Sequence, residues 1–338
     1  MDERLPWHEK PWRQLQQRRA AGRLPHALLL TGPAGLGKRV FARRLAGASL
    51  CAAPATDGDA CGRCRGCHLF RAGSHPDFSA VRPAEDGKAI KVDQIRELRD
   101  FLSLTTQYGG HKIALLEPAD RLNLNAANSL LKTLEEPPGN SLLLLVADQP
   151  ARLPATVRSR CQLVRFDIPP AEEVLPWLAS RTTGGLEPRV LLDAAGGAPL
   201  AALAFADGER WNRRRLLAES YERTLTGKAD PVREAERWLQ GDLAESLRWL
   251  IGWHTDLIRL KMNSEPPCLN NPDLRPVLRR WADWLPPKAL FERLDSAIRL
   301  HALCSTTQIN AQQSLEAFLG DGAASGETDV PRTSATKG

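Results

Sequence analysis

The chemistry available to this chain is concentrated in two short clusters. The first is Gly32-Pro33-Ala34-Gly35-Leu36-Gly37-Lys38-Arg39. Glycines at 32, 35 and 37 allow main-chain N–H groups to converge on phosphate oxygens, and a helix opening at Lys38 adds its partial positive charge. Lys38 stands where a phosphate-loop lysine reaches the β- and γ-phosphates. Arg39 stands where the pattern wants Ser or Thr on Mg²⁺, and a guanidinium cannot ligate a metal cation. These residues predict a phosphate loop that has lost its metal ligand, and they leave open whether it holds a nucleotide. The second cluster is Cys51 with Cys61-Gly62-Arg63-Cys64-Arg65-Gly66-Cys67. Two overlapping C-x₂-C units and a cysteine upstream can offer four thiolates to one tetrahedral Zn²⁺. Gly62 and Gly66 are expected to permit tight turns, and Arg63 and Arg65 to favour the thiolate form. His68 and His75 are rival ligands that a complete four-cysteine set makes unnecessary. Such a closed site has no open coordination position and is structural; a redox dithiol or unliganded thiols are the alternatives.

These clusters need a frame, and short apolar runs provide it. His26–Thr31, Phe78–Arg82, His111–Glu117, Leu142–Val146 and Gln162–Phe166 read as strands. Between them lie helical patterns: Lys38–Leu50 with Phe41 and Leu45 inward, Val92–Leu102 with Ile95 and Leu98, and Asp120–Glu136 with Leu130 and Leu134, stopped by Pro137-Pro138-Gly139. Strands alternating with helices predict a parallel five-stranded α/β sheet, with the cysteine cluster inserted after the loop helix. The chain then turns helical. Residues 168–208 read as a small helical domain and 209–320 as longer amphipathic helices, including a face of Leu243, Leu247, Leu250, Ile251, His254, Leu257 and Ile258. His254 is expected to be packed rather than reactive. Another apolar stripe runs through Leu290, Phe291, Leu294 and Ile298, and the polar residues 321–338 read as a disordered tail.

Composition sets outer bounds. The 338 residues, 42% hydrophobic and 25% charged, are enough for two or three domains with ordinary cores. No apolar run approaches the ~20 residues needed to span a bilayer. The charged start Met1-Asp2-Glu3-Arg4 lacks the apolar core of a secretory signal, so the expected compartment is the cytoplasm, with cysteines reduced. A net charge of +6 leaves contact with nucleic acid open.

Leu130-Leu-Lys-Thr-Leu-Glu-Glu-Pro-Pro138, followed by Leu153-Pro154 and Ser159-Arg160-Cys161, resembles bacterial clamp-loader subunits of DNA polymerase III. These are AAA+ proteins that use ATP to open a sliding clamp and place it on primed DNA, and a four-cysteine zinc module after the phosphate-loop helix fits that family. The resemblance implies an AAA+ domain over 1–167, a helical lid over 168–208 and an all-α collar over 209–320. It also implies an assembly with tau/gamma motor subunits and a clamp-opening delta subunit, acting on the clamp and primer–template DNA. Some subunits of this kind hydrolyse ATP and others neighbour the motor without doing so. A motor requires Ser or Thr at Arg39, an Asp-Glu pair at Glu117 and Pro118, a polar sensor at Ala147 and a lid arginine at Leu200; this chain has none of these in full. Arg160 matches the arginine finger that reaches ATP held by the adjacent subunit. The resemblance therefore implies a non-hydrolysing subunit acting in trans. The rival readings are a divergent ATPase retaining Lys38 and Glu117, and a zinc-dependent nucleic-acid-binding module.

Overall fold

Apolar runs with no polar alternation must be buried on both faces, and three of the five strands are. The computed structural model describes residues 4–85, 88–108, 110–182, 185–304 and 311–324. It divides into two units, Met1–Trp177 and Leu178–Gly338. In the first, β1 (Ala27–Thr31), β2 (Phe78–Val81), β3 (Lys112–Leu116), β4 (Ser141–Ala147) and β5 (Gln162–Arg165) form one sheet in the order β2-β3-β4-β1-β5. Every pairing is parallel; Leu29 on β1 lies beside Leu145 on one side and Leu163 on the other. Strands β1, β3 and β4 are buried throughout, whereas the edge strand β5 is largely exposed.

The helices of this unit are α1 (Glu9–Ala20), α2 (Lys38–Ser49), α3 (Arg65–Arg71), α4 (Val92–Ser103), α5 (Leu124–Glu135) and α6 (Ala155–Arg158), with α7 (Ala171–Ala179) at its end. One core gathers Ile95, Leu98 and Leu102 of α4 and Leu130 and Leu134 of α5 with Leu29, Leu116, Leu143 and Leu145 of the strands. The helix expected from Asp120 starts later. Ala119–Arg121 is a 3₁₀ turn, and Asn123 ends it by accepting the Ala126 N–H at 2.8 Å, an N-cap that sets the first turn of α5. The short α3 inside the cysteine cluster has no counterpart in the sequence periodicity. Beyond it, buried Asp77 pairs with Lys112 at 3.1 Å and accepts N–H groups of Gln107 and Tyr108. That ties the segment leaving the cluster to the start of β3.

The second unit is helical: α8 (Pro188–Ala194), α9 (Pro199–Phe205), α10 (Glu209–Leu225), α11 (Pro231–Leu239), α12 (Leu243–Met262), α13 (Arg275–Trp284), α14 (Pro287–Cys304) and α15 (Ala311–Ala324). Trp238, Trp253, Trp281 and Tyr221 are fully buried at its centre, their rings meeting mostly edge to face. A continuous hydrogen-bonded chain runs through this core. Arg293 Nε–H donates to Tyr221 Oη at 2.9 Å, Tyr221 O–H donates to His254 Nε2 at 3.0 Å, and His254 Nδ1–H donates to Leu250 O at 2.9 Å. Burial, with the Arg293 charge second, pushes His254 down to about 3, so it is neutral and packed, as expected. Arg214 is likewise buried and forked onto Asp273, with Asn271 beside it.

Two expectations fail here. On α14 the core takes Leu290, Arg293, Ala297 and Leu300, while Phe291 and Ile298 stay exposed, because the inward stripe includes a buried arginine that periodicity of apolar residues skips. The polar stretch expected to be disordered begins as helix, since α15 runs through Asp321 to Ala324; the remaining tail, 325–338, lies outside the described residues. Among the described residues no helix is long and apolar enough to cross a membrane. Tyr221→Phe removes the hydroxyl that serves both Arg293 and His254, stranding a donor and an acceptor. It is expected to lower stability by about 1–3 kcal/mol, read as a lower guanidinium midpoint at unchanged m-value.

Candidate functional site

The phosphate loop joins β1 to α2 with the shape expected of it. Gly32 has φ +145°, and a Cβ there would meet the Phe166 carbonyl oxygen at 2.1 Å, so no other residue fits beneath β5. From the other side the N-terminal segment straps the loop: Trp7 Nε1–H donates to Leu36 O at 2.9 Å and His8 Nε2–H to the same oxygen at 2.8 Å. His8 is buried and pushed down to about 4 by desolvation, so it is neutral and acts as a donor on this side.

Within this frame Lys38 does not point into open space. Its side chain is 2% exposed, and Nζ contacts Gly32 O at 2.7 Å, Pro33 O at 2.6 Å and Asp148 Oδ1 at 2.6 Å. An ammonium has three N–H donors, and all three are taken. Asp148, directly after β4, supplies the negative charge that a phosphate would otherwise bring. Sequence reasoning stopped one residue short of it, at Ala147, looking for a polar sensor.

A second ion pair stands at the metal position. Arg39 Nε lies 3.1 Å from Glu117 Oε1, and Arg82 donates to the same oxygen through Nε at 2.7 Å and closes on it through Nη2. Glu117 is 5% exposed. The Glu117 carboxylate, expected at the metal, thus faces two guanidiniums, one of them on Arg39, where the phosphate-loop pattern wants a hydroxyl. Neither the Arg39–Glu117 pairing nor the role of Arg82 was readable from the motif. Leu200, at the expected lid-arginine position, lies on α9 of the second unit.

The four cysteines converge. Sγ of Cys51 lies 3.9 Å from that of Cys64, Cys61 4.0 Å from Cys67, and Cys64 3.4 Å from Cys67, with all four sulfurs within 4.8 Å of one another. Four sulfurs at the usual ~2.3 Å from one tetrahedral ion stand about 3.8 Å apart, so the set fits a metal ion of that size. Cys64 caps α3, its Sγ accepting the Cys67 N–H, and Cys51 Sγ accepts the Cys61 N–H. The Cys61 thiol is drawn down to about 6, chiefly by the main-chain N–H groups of Arg63 and Cys64 rather than by the arginine side chains. Burial and the Cys64 neighbour push Cys67 up to about 12. Four clustered sulfurs cannot all ionise without a cation among them, and a metal reverses that constraint. Gly62, at φ +72°, makes the expected turn, but Gly66 does not. It lies in α3, where a Cβ would come within 2.7 Å of Leu50 O; it is there for close packing against the end of α2. His68 is exposed and His75 is turned to the Asp77 N–H, and neither belongs to the sulfur cluster.

Arg160 sits at the surface between α6 and β5, its side chain 36% exposed. Its Nε donates to Glu135 Oε1 at 2.8 Å, Nη2 closes on the same oxygen, and Nη1 donates to Thr156 O at 3.0 Å. The loop, the cysteine cluster and Arg160 are therefore three separate places in one unit.

Comparison with known proteins finds relatives along most of the chain. Residues 7–170 match the family model described as DNA polymerase III, delta subunit, and 208–321 match that for the C terminal of the delta subunit. The delta' subunit of DNA polymerase III from Pseudomonas aeruginosa is 39% identical over 282 residues, covering 82% of this chain and 84% of that protein. That of Escherichia coli is 36% identical over 216 residues, 64% of each chain. A tau subunit from Bacillus subtilis is 35% identical over 142 residues, but covers only 42% of this chain and 24% of that one. The protein belongs to the delta' family of DNA polymerase III subunits.

Proposed function

We propose that this chain is a non-hydrolysing clamp-loader subunit that acts on ATP held by a neighbour. The observation that carries the reading is the double internal neutralisation of the loop: Lys38 by Asp148, and Glu117 by Arg39 and Arg82. Phosphoryl transfer from a bound nucleotide needs the loop lysine on the β/γ-phosphates, a hydroxyl and a carboxylate on Mg²⁺, and a residue orienting water. In this chain the lysine is spent on main-chain oxygens and Asp148, the hydroxyl is Arg39, and Pro118 has no carboxylate. A retained weak ATPase would have to break both ion pairs before it could hydrolyse a bound nucleotide.

Arg160 is the group assigned to catalysis, as an arginine finger in trans. It is exposed, and a guanidinium stabilises charge on a transferring phosphoryl group from outside. In this reading residues 1–167 are the AAA+ domain with its cysteine module, 168–208 the lid and 209–320 the collar that holds the assembly. The neighbours are tau/gamma motor subunits and a delta subunit, and the complex acts on the sliding clamp and primer–template DNA. Cys51, Cys61, Cys64 and Cys67 hold a structural zinc ion, which would fix the loop following α2 to α3 and take no part in the chemistry.

The isolated chain is expected to show no magnesium-dependent ATP turnover above background; turnover that Lys38→Ala abolishes would overturn the non-hydrolysing assignment. In a complex reconstituted with motor and delta subunits, Arg160→Ala should leave assembly intact. At the nucleotide site it serves the expected loss is ~10³-fold or more, leaving the complex with the turnover of its other sites; an unaltered rate would remove the finger assignment. Metal analysis should give about one zinc per chain, as four thiolates on one ion require. Cys64→Ser should lose it, and a Cys64→Ser protein with its full zinc would contradict the ligand set.

A further inference from the structure

An exposed arginine at a protein surface ordinarily samples many rotamers, and an exposed ion pair adds little to stability. Arg160 nevertheless has three of its nitrogens engaged, two against Glu135 and one against the Thr156 carbonyl. Both anchors belong to elements packed on the core, although the Glu135 side chain is itself half exposed. Glu135 is the last residue of α5, a helix capped by Asn123 and seated in the core by Leu130 and Leu134. Thr156 belongs to α6, pinned by fully buried Val157. A guanidinium carries five N–H groups in one plane, so this arrangement fixes the plane and still leaves at least two donors uncommitted. That is a side chain ordered in advance for a planar, forked contact with an anion outside this chain.

We propose that Glu135 is a positioning residue for Arg160: its carboxylate holds the guanidinium in the orientation from which the remaining N–H groups reach a phosphoryl oxygen. This rests on the trans role proposed for Arg160. The ion pair costs the arginine part of its field, because a carboxylate beside it opposes an approaching phosphate. Orientation is what offsets that cost, since a misplacement of about 1 Å in a catalytic group can cost ~10²-fold in rate. Glu135 touches neither nucleotide nor reacting atoms and acts only through Arg160.

The test is steady-state ATPase of the reconstituted complex, carrying Arg160→Ala, Glu135→Ala, Glu135→Gln or the Glu135→Ala/Arg160→Ala pair, with assembly and thermal midpoint measured for each. Glu135→Ala should lower kcat at the affected site by roughly tenfold through misorientation, with KM for ATP and assembly unchanged. Glu135→Gln, whose amide oxygen can still accept from Nε, should recover much of that loss. The double variant should be no slower than Arg160→Ala alone, because the two residues act as one unit. If Arg160→Ala is silent, the finger assignment falls and this inference with it. If Arg160→Ala slows the complex but Glu135→Ala does not, or accelerates it, or adds to the Arg160→Ala defect, the positioning role alone is overturned.

Discussion

A buried ammonium must meet negative charge, and the first unit is built around how Lys38 does so. In a working phosphate loop the counter-charge arrives with the nucleotide. Here it is part of the chain: Asp148 from the end of β4, with the Gly32 and Pro33 carbonyls completing the shell. Burying the ammonium alone would be costly, and Asp148, itself half-exposed, supplies the charge that offsets it. Gly32 lies against the Phe166 carbonyl and Leu36 is held by Trp7 and His8, so the loop keeps its conformation by contacts to β5's exit and to the N-terminal segment. Glu117 follows the same logic, its buried carboxylate meeting the guanidiniums of Arg39 and Arg82.

Elsewhere two buried carboxylates are each held by several donors. Asp77 meets Lys112 and two main-chain N–H groups; Asp256 accepts from the N–H of Asn270 and Asn271 and from the Asn271 amide. The chain Arg293–Tyr221–His254–Leu250 uses each donor once and each acceptor once. Such networks tie residues far apart in sequence to one arrangement, because any slip leaves a desolvated group unpaired. The cysteine cluster differs: its sulfurs hydrogen-bond to main-chain N–H groups and to one another, and all four can be thiolates together only around a shared cation.

The sheet was legible because continuous apolar runs such as Leu28–Leu30 and Leu142–Val146 have only one comfortable place, the middle of a parallel sheet. The loop and the cysteine set were legible because their spacing is local. What escaped were partners brought together by the fold. Asp148 and Arg82 lie on other elements than the residues they pair with, and nothing in the local pattern marks them; Glu135 lies within the quoted stretch Leu130–Pro138, but its pairing with Arg160 is made by the fold. The polar core of the second unit escaped in the same way: Arg293 breaks the apolar stripe of α14 where the buried face runs, which sent the expectation to Phe291 and Ile298 instead. Gly66 and Arg63 were found at the right places for the wrong reason, one serving close packing and the other acting through its main-chain N–H.

Lys38 and Arg160 of the first unit contrast in their donors. Lys38 is 2% exposed and its three N–H groups have three acceptors, so an anion could reach it only by displacing Asp148 and two carbonyls. Arg160 is 36% exposed, and its anchors occupy one side of the guanidinium while leaving donors over. Both are positively charged and both stand in motifs associated with phosphate, but their donor inventories are opposite. Charge alone would not separate them; the count of uncommitted N–H groups does. An outside anion could reach donors at Arg160 without breaking the contacts it makes, whereas at Lys38 it would first have to displace them.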